Sequence, residues 1–279
     1  MKVAATGKPH WYAPAGAIDA HAHVVSKDIP IQSTRHKQPD HDVRVEDFVE
    51  LLDANGMAGG VLTAPSFYGT DNSLLLRALD AYPDRLRGTV IVDPDIDHGL
   101  LEAMSSRGAT GIRLNWIRRP ALPDFTTPAY ARLFAAVRAL DWHVEVFLEG
   151  ERLPPLLAIL QKAGVKVCLD HFACPDPSRQ LACEGFRMAL DAVRAGNCWI
   201  KLSAPYRLSG VDPRTYVDAI LAAGGEDRLV WASDWPWVSY EDQFNYQDCL
   251  DWAADWISDQ ALREKILVTT PRALFRFGD

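Results

Sequence analysis

The chain has 279 residues, 48% hydrophobic and 24% charged, which provides for a large core and excludes a disordered chain. Its formal charge is −8 and no basic run exceeds a pair such as Arg118-Arg119, which argues against a nucleic-acid partner. No run of about 18 apolar residues occurs and no apolar segment of signal-peptide length lies near the N-terminus, so the chain reads as soluble and cytoplasmic, without a membrane partner.

Residues 1–16 read as an N-terminal extension. Eight short apolar runs follow, alternating with helical patterns: AIDAHAH, GGVLTAP, LRGTVIV, TGIRLN, WHVEVFL, VKVCLDH, CWIKLSA and RLVWASD. Most are continuous rather than alternating, as in strands covered on both faces. They predict a single distorted (β/α)8 TIM barrel domain over 1–279, ending in a helical tail at 259–279.

The first run ends in His21 and His23, which share one face of a strand. That pairing suits a metal, a polarised carbonyl, a proton relay or a structural hydrogen-bonded pair. The long polar segment 25–43 is expected to be a lid or binding loop, with His36 and His41 solvated. Val45, Phe48, Val49 and Leu52 mark a helix that stops at Asn55-Gly56. The next segment, GMAGGV, lacks the order of a dinucleotide-binding loop and precedes a strand, against a Rossmann fold. After the second run, YGTDN offers Tyr68 as a secondary ligand contact and Asp71 or Asn72 as a helix cap.

The fourth run carries Arg113 and Asn115, with Arg119 in the loop beyond. Thr127-Pro128 opens a helix with Tyr130, Leu133, Phe134 and Val137 on one face. His171 ends the sixth run. Lys201 lies in the seventh, as a counter-ion for Asp234 or Glu149 or as a structural group, and Arg207 follows it. Asp212-Pro213 opens a helix bearing Tyr216, Val217 and Ile220, and Asp234 ends the eighth run. Five cysteines without any C-x-x-C read as reduced thiols, Cys168 and Cys198 as core filler. Cys174 alone lies near candidate chemistry, with no base beside it.

In a barrel the strand C-termini form one mouth, so His21, His23, His171 and Asp234 converge there. Singly, His171 reads equally as a structural histidine and Asp234 as a turn cap. Jointly buried without a task, they would carry a desolvation cost. Arg113, Arg119 and Arg207 serve either as carboxylate clamps or as ion pairs to neighbouring acids.

These motifs resemble the amidohydrolase superfamily, and within it the branch of 2-pyrone-4,6-dicarboxylate lactonases and related sugar-acid lactonases. The resemblance covers nearly the whole chain, through PAGAIDAHAHV, YGTDN, VDPDID, GIRLN, LDH with a following PD, and SDWP. It implies a hydrolase that opens a small anionic, carboxylated lactone, with Asp234 as general base and His21, His23 and His171 polarising the carbonyl. Arg113, Arg119, Arg207, Tyr68 and Asn115 would contact the substrate. It also implies that a metal is optional. Binuclear relatives place a lysine or glutamate on strand 4 and histidines on strands 5 and 6, whereas this chain has Arg113-Leu114-Asn115 and Phe147-Leu148-Glu149. No cofactor is therefore required, and a single divalent ion such as zinc on His21, His23, His171 and Asp234 is the alternative.

Three departures bear on the substrate. Cys174 in DHFACPD replaces the arginine of DHxGRPD, Trp237 replaces the histidine of DWPH, and Phe147 replaces a strand-5 tyrosine. A more apolar, less cationic pocket follows. Other readings of the same residues are a mononuclear metal-dependent decarboxylase or amidohydrolase, a sugar-acid lactone isomerase and a non-catalytic binding barrel. The exposed helix faces and nine tryptophans specify no oligomer interface.

Overall fold

The computed structural model describes residues 11–32 and 41–278, so that His36 lies outside the described residues. Eight parallel strands follow one another in sequence order: β1 (Ile18–Ala22), β2 (Gly59–Thr63), β3 (Leu86–Val90), β4 (Ala109–Asn115), β5 (His143–Phe147), β6 (Lys166–Leu169), β7 (Cys198–Leu202) and β8 (Leu229–Trp231). Around them pack α1 (Val45–Ala54), α2 (Ser73–Ala81), α3 (His98–Ser106), α4 (Pro128–Ala139), α5 (Leu153–Ala163), α6 (Glu184–Ala195), α7 (Arg214–Ala222) and α8 (Tyr246–Trp256), followed by α9 (Gln260–Glu264) and α10 (Thr270–Phe275). This is the (β/α)8 barrel that the alternating runs predict. No helix among the described residues is long and apolar enough to cross a membrane.

The barrel closes at a seam beyond β8. β8 has three residues, too few to span β1, and the closure is completed by the chain beyond it. Ala22 bridges Trp235 in parallel, Asp234 N donates to His21 O at 3.1 Å and His23 N donates to Trp235 O at 2.9 Å. The backbone hydrogen bonds that shut the cylinder therefore set the two β1 histidines beside Asp234.

The helices brace this seam. α1 buries Phe48, Val49 and Leu52 and ends at Asn55, with Gly56 at φ +69°, the left-handed conformation a helix terminus assigns to glycine. Gly60 on β2 is required by that packing, because a Cβ there would lie 2.6 Å from the Phe48 ring. Phe48 in turn stacks on Trp235, with ring centroids 5.3 Å apart. α4 and α7 likewise bury their predicted faces, Tyr130, Leu133, Phe134 and Val137 on one and Tyr216, Val217 and Ile220 on the other. Asp71 caps α2 by accepting from Ser73 N at 2.9 Å, while Asn72 ties both backbone groups of Ile91.

Inside the barrel the side chains form layers. At the base, Leu274 and Phe275 from α10 join Ile18, Ala20, Val61, Cys168, Val230 and Ala232 in an apolar plug, and Phe275 meets the His143 ring edge-on at 5.1 Å. Above the plug lies a charged layer of Arg113, Glu145, Asp170 and Lys201, all buried. The histidines and Asp234 sit above that, at the mouth.

Candidate active site

Two of the mouth residues stand on bent backbone. His171 and Asp234 lie two and three residues beyond the last residues of β6 and β8, rather than ending those strands, because both adopt left-handed φ, +48° and +62°. Left-handed backbone cannot continue a strand. It costs on the order of 1–3 kcal/mol at each non-glycine residue and recurs where structure holds a side chain for a task. The seam supplies the compensation. Asp19 accepts hydrogen bonds from Ser233 N (3.0 Å), Ser233 Oγ (2.6 Å) and Tyr246 OH (3.0 Å), and Ser233 Oγ accepts from Trp235 N (3.0 Å). Both neighbours of Asp234 are thereby fixed.

The convergence expected from the sequence is present. Asp234 Oδ1 faces the Nε2 atoms of His21 at 3.6 Å, His23 at 3.9 Å and His171 at 3.9 Å, while the Nε2 atoms of His21 and His23 are 3.2 Å apart. The other oxygen is occupied: Asp234 Oδ2 accepts from Tyr206 OH at 2.6 Å and Arg207 Nη2 at 3.1 Å. Hydrogen bonds on the outer ring nitrogens orient the imidazoles. His23 Nδ1 donates to Thr63 O at 2.7 Å, which leaves its Nε2 as an acceptor, and His171 Nδ1 lies 2.8 Å from Ser203 Oγ.

Beneath His21 the charged layer is a closed network. Arg113 Nε lies 3.0 Å from Glu145 Oε1, Arg113 Nη2 3.0 Å from Asp170 Oδ2, and Arg113 Nη1 donates to Ala64 O at 3.1 Å. Lys201 Nζ lies 2.5 Å from Glu145 Oε2, 3.3 Å from Asp170 Oδ1 and 2.9 Å from His21 Nδ1. Lys201 thus pairs with Glu145 and Asp170, not with Asp234 or Glu149; Glu149 sits outside the barrel interior, accepting from Arg118 N at 2.6 Å.

The electrostatics follow from burial and these neighbours. Burial, seconded by Arg113 for His23 and opposed by Asp234 for both, lowers His23 and His171 to about 4; burial and Lys201 lower His143 to about 3 and hold His21 well below its ordinary value. The imidazoles are neutral at pH 7. Burial alone would raise Asp234, but His171, Arg207, His21 and His23 outweigh it and hold the carboxyl well below the usual range. With the rings neutral, Arg207 is the standing charge that keeps it ionised.

A stability prediction follows. An unfolded histidine titrates near 6.5, so between about pH 6.5 and 4 the unfolded chain binds more protons at these four rings than the folded one, and stability is lost as pH falls. Asp19, raised to about 6 by burial, and Glu145, raised by burial and by Asp170, act in the opposite sense, two groups against four. Chelator-treated protein should lose more than about 1.4 kcal/mol per pH unit below pH 6.5. Thermal melts across that range check this, and an unchanged or rising melting temperature would contradict it.

Above the cluster opens a cavity of about 490 Å³, within the range of small-molecule sites. His23, His171, Asp234, Arg113, Arg207 and Asn115 line it, and His21 lies just below. Two expected contacts are elsewhere. Arg119 is laid over the Trp116 ring, 4.9 Å from its centroid, and Arg118 lines the cavity in its place, turned there by a left-handed φ of +55°. Tyr68 donates to Ser26 O at 2.7 Å and accepts from Ser26 N at 2.9 Å, pinning the loop after β1 near where Val25 and Val43 exchange hydrogen bonds. Cys174 lines the cavity too, but burial pushes its thiol up, away from a thiolate. Tyr206, Ser203, Asp170 and Glu145 are site residues that sequence reasoning did not single out.

The donor set fits one cation. In a tetrahedral site with bonds of about 2.0–2.1 Å, neighbouring ligand atoms lie about 3.3–3.4 Å apart. His21 Nε2 lies near that spacing from His23 Nε2 (3.2 Å) and Asp234 Oδ1 (3.6 Å), and the ligand atoms of His21, His171 and Asp234 lie within 4.8 Å of one another, a potential ligand group. A second group, His21 with Glu145 and Asp170, is already filled by Lys201 and Arg113.

Comparison with known proteins bears on the same site. A family model described as Amidohydrolase matches residues 18–277. The chain is similar to the 4-sulfomuconolactone hydrolase of Hydrogenophaga intermedia, 28% identical over 272 residues covering 94% of this chain and 89% of the relative. It is also similar to the 2-pyrone-4,6-dicarboxylate hydrolase of Comamonas testosteroni, 29% identical over 285 residues covering 96% and 92%. A solved structure from Acinetobacter baumannii, described as a probable 2-pyrone-4,6-dicarboxylic acid hydrolase with citric acid bound, matches with a TM-score of 0.89 at 31% identity, covering 94% of this chain and all of that one.

Proposed function

As this chain belongs to the amidohydrolase family, we propose that it is a hydrolase that opens a small carboxylated lactone with water activated at Asp234. The observation that carries the reading is the free Oδ1 of Asp234 facing three imidazole Nε2 atoms within 3.9 Å at the floor of a cavity. Relatives named as hydrolases of a sulfomuconolactone and a pyrone dicarboxylate support the substrate class.

The roles follow from the hydrogen bonds. Water is held by Asp234 Oδ1, with its lone pair toward the lactone carbonyl carbon. As the C–O bond forms, its proton passes to Asp234. The carbonyl oxygen becomes an oxyanion and is met by Nε2–H of His171, with Ser203 donating to its Nδ1. The tetrahedral intermediate then expels the ring oxygen, which takes the proton back from Asp234, leaving a hydroxy acid. Tyr206 and Arg207 hold Asp234 in place on its other oxygen.

The carboxylate of the substrate belongs at the rim. Arg113 and Arg207 are bound to acids, whereas the Arg118 guanidinium has no carboxylate partner among the described residues. Phe147, Ile117 and Val238 make the neighbouring wall apolar. A single divalent cation on His21, His23, His171 and Asp234 would polarise the carbonyl and acidify the water; the ligand spacing supports that second reading.

The test is acid release from a panel of 2-pyrone-4,6-dicarboxylate, a muconolactone and sugar-acid lactones, before and after chelation. One member should turn over with kcat/KM of about 10⁴ M⁻¹s⁻¹ or more. Conversion to an isomer without acid release, or no reaction with any member, would contradict the proposal.

A further inference from the structure

The site can either donate hydrogen bonds or hold a cation, and the choice turns on which nitrogen of His21 carries the ring proton. A cation at the mouth needs the lone pair of His21 Nε2, and therefore a proton on Nδ1. At Nδ1 three groups compete: Lys201 Nζ at 2.9 Å, Asp170 Oδ1 at 3.4 Å and Glu145 Oε1 at 3.6 Å. Lysine only donates. A proton on Nδ1 would put two donors head to head at the shortest of these contacts, so Nδ1 accepts and the proton resides on Nε2. There it points toward the acceptor Nε2 of His23, 3.2 Å away.

A second observation points the same way. Three buried or nearly buried cations, Arg113, Lys201 and Arg207, face three carboxylates, Glu145, Asp170 and Asp234, and the contacts pair them completely. A divalent ion would add two uncompensated charges to a dry cluster. An acceptor for the other state is nonetheless at hand: Asp170 Oδ1, now 3.3 Å from Lys201 Nζ, lies 3.4 Å from His21 Nδ1.

We propose that Lys201 is a positioning residue that locks His21 as the Nε2–H tautomer and thereby suppresses cation binding at the mouth. Removing it would free Nδ1–H to donate to Asp170, turn the Nε2 lone pair outward and leave one negative charge in excess. The inference deepens the reading of this cleft as the reaction centre. Its readouts are tautomer and affinity, so it can fail while lactone turnover stands.

Two measurements test it. In ¹⁵N-histidine-labelled wild-type protein, His21, assigned by His21→Gln, should show the Nε2–H tautomer; an Nδ1–H signature would overturn the proposal even if no Lys201 variant folds. Titration with Zn²⁺, alongside a melting curve to verify folding, should show Lys201→Met binding at least 10-fold more tightly than wild type. Equal or weaker binding by the folded variant, or loss of the tighter site on adding His21→Gln being absent, would overturn it.

Discussion

Asp234→Asn should lower kcat on the best lactone by about 10³-fold, within the range for loss of a general base, with KM changed only a few-fold. The substitution preserves shape, and asparagine tolerates the left-handed φ of +62° that the seam imposes. Its amide oxygen can still accept from Tyr206 and Arg207, while its NH₂ takes the place of the Oδ1 that faces the imidazoles. What disappears is the acceptor for the water proton. A folded variant that keeps more than about a tenth of wild-type turnover would remove Asp234 from this role.

Arg113→Met should cost stability on a scale unlike any surface pair. The guanidinium ties Ala64 O, Glu145 and Asp170, so it joins the chain after β2 to β5 and to the end of β6. Removing one partner of a buried network leaves carboxylate charge uncompensated, at about 3–5 kcal/mol. For a chain of this size the melting temperature should fall by on the order of 10 °C. Arg132→Met, which breaks an ion pair with Asp95 whose side chains are 67% and 68% exposed, should change stability by less than about 1 kcal/mol. Denaturant titration of both variants makes the comparison, and equal losses would mean that the buried layer is not the brace described above.

The barrel was readable because its signals are local. Each strand is a short apolar run, and the helices carry 3.6-residue spacing that stops at glycine or starts at proline, as Gly56 and Pro128 do. His21, His23, His171 and Asp234 were readable because strand ends point to one mouth. Their supports were harder to find. Tyr206, Ser203 and Asp170 lie in turns where residues such as Ala204 (φ +50°) reverse the alternation that tells one face from the other. Arg118 and Arg119 exchange places for the same reason. Glu145 did carry a signal: His143, Glu145 and Phe147 alternate with Val144, Val146 and Leu148, and a charged residue on the inner face of a barrel strand demands a buried partner. Lys201 shows the converse, its burial foreseeable but its partners dependent on the register that sets Arg113 opposite Glu145.

The backbone past β8 does two jobs at once, closing the cylinder and presenting the base. That coupling explains why Asp19, Ser233 and Tyr246, none of which faces the cavity, form a dense set of hydrogen bonds beside it.

The most direct measurement runs the lactone panel in H₂¹⁸O and weighs the product. Water activated at Asp234 predicts a hydroxy acid carrying one ¹⁸O in its new carboxylate, formed by the wild type and at background level by Asp234→Asn. An unlabelled rearranged product, or undiminished labelling by the folded variant, would contradict the account.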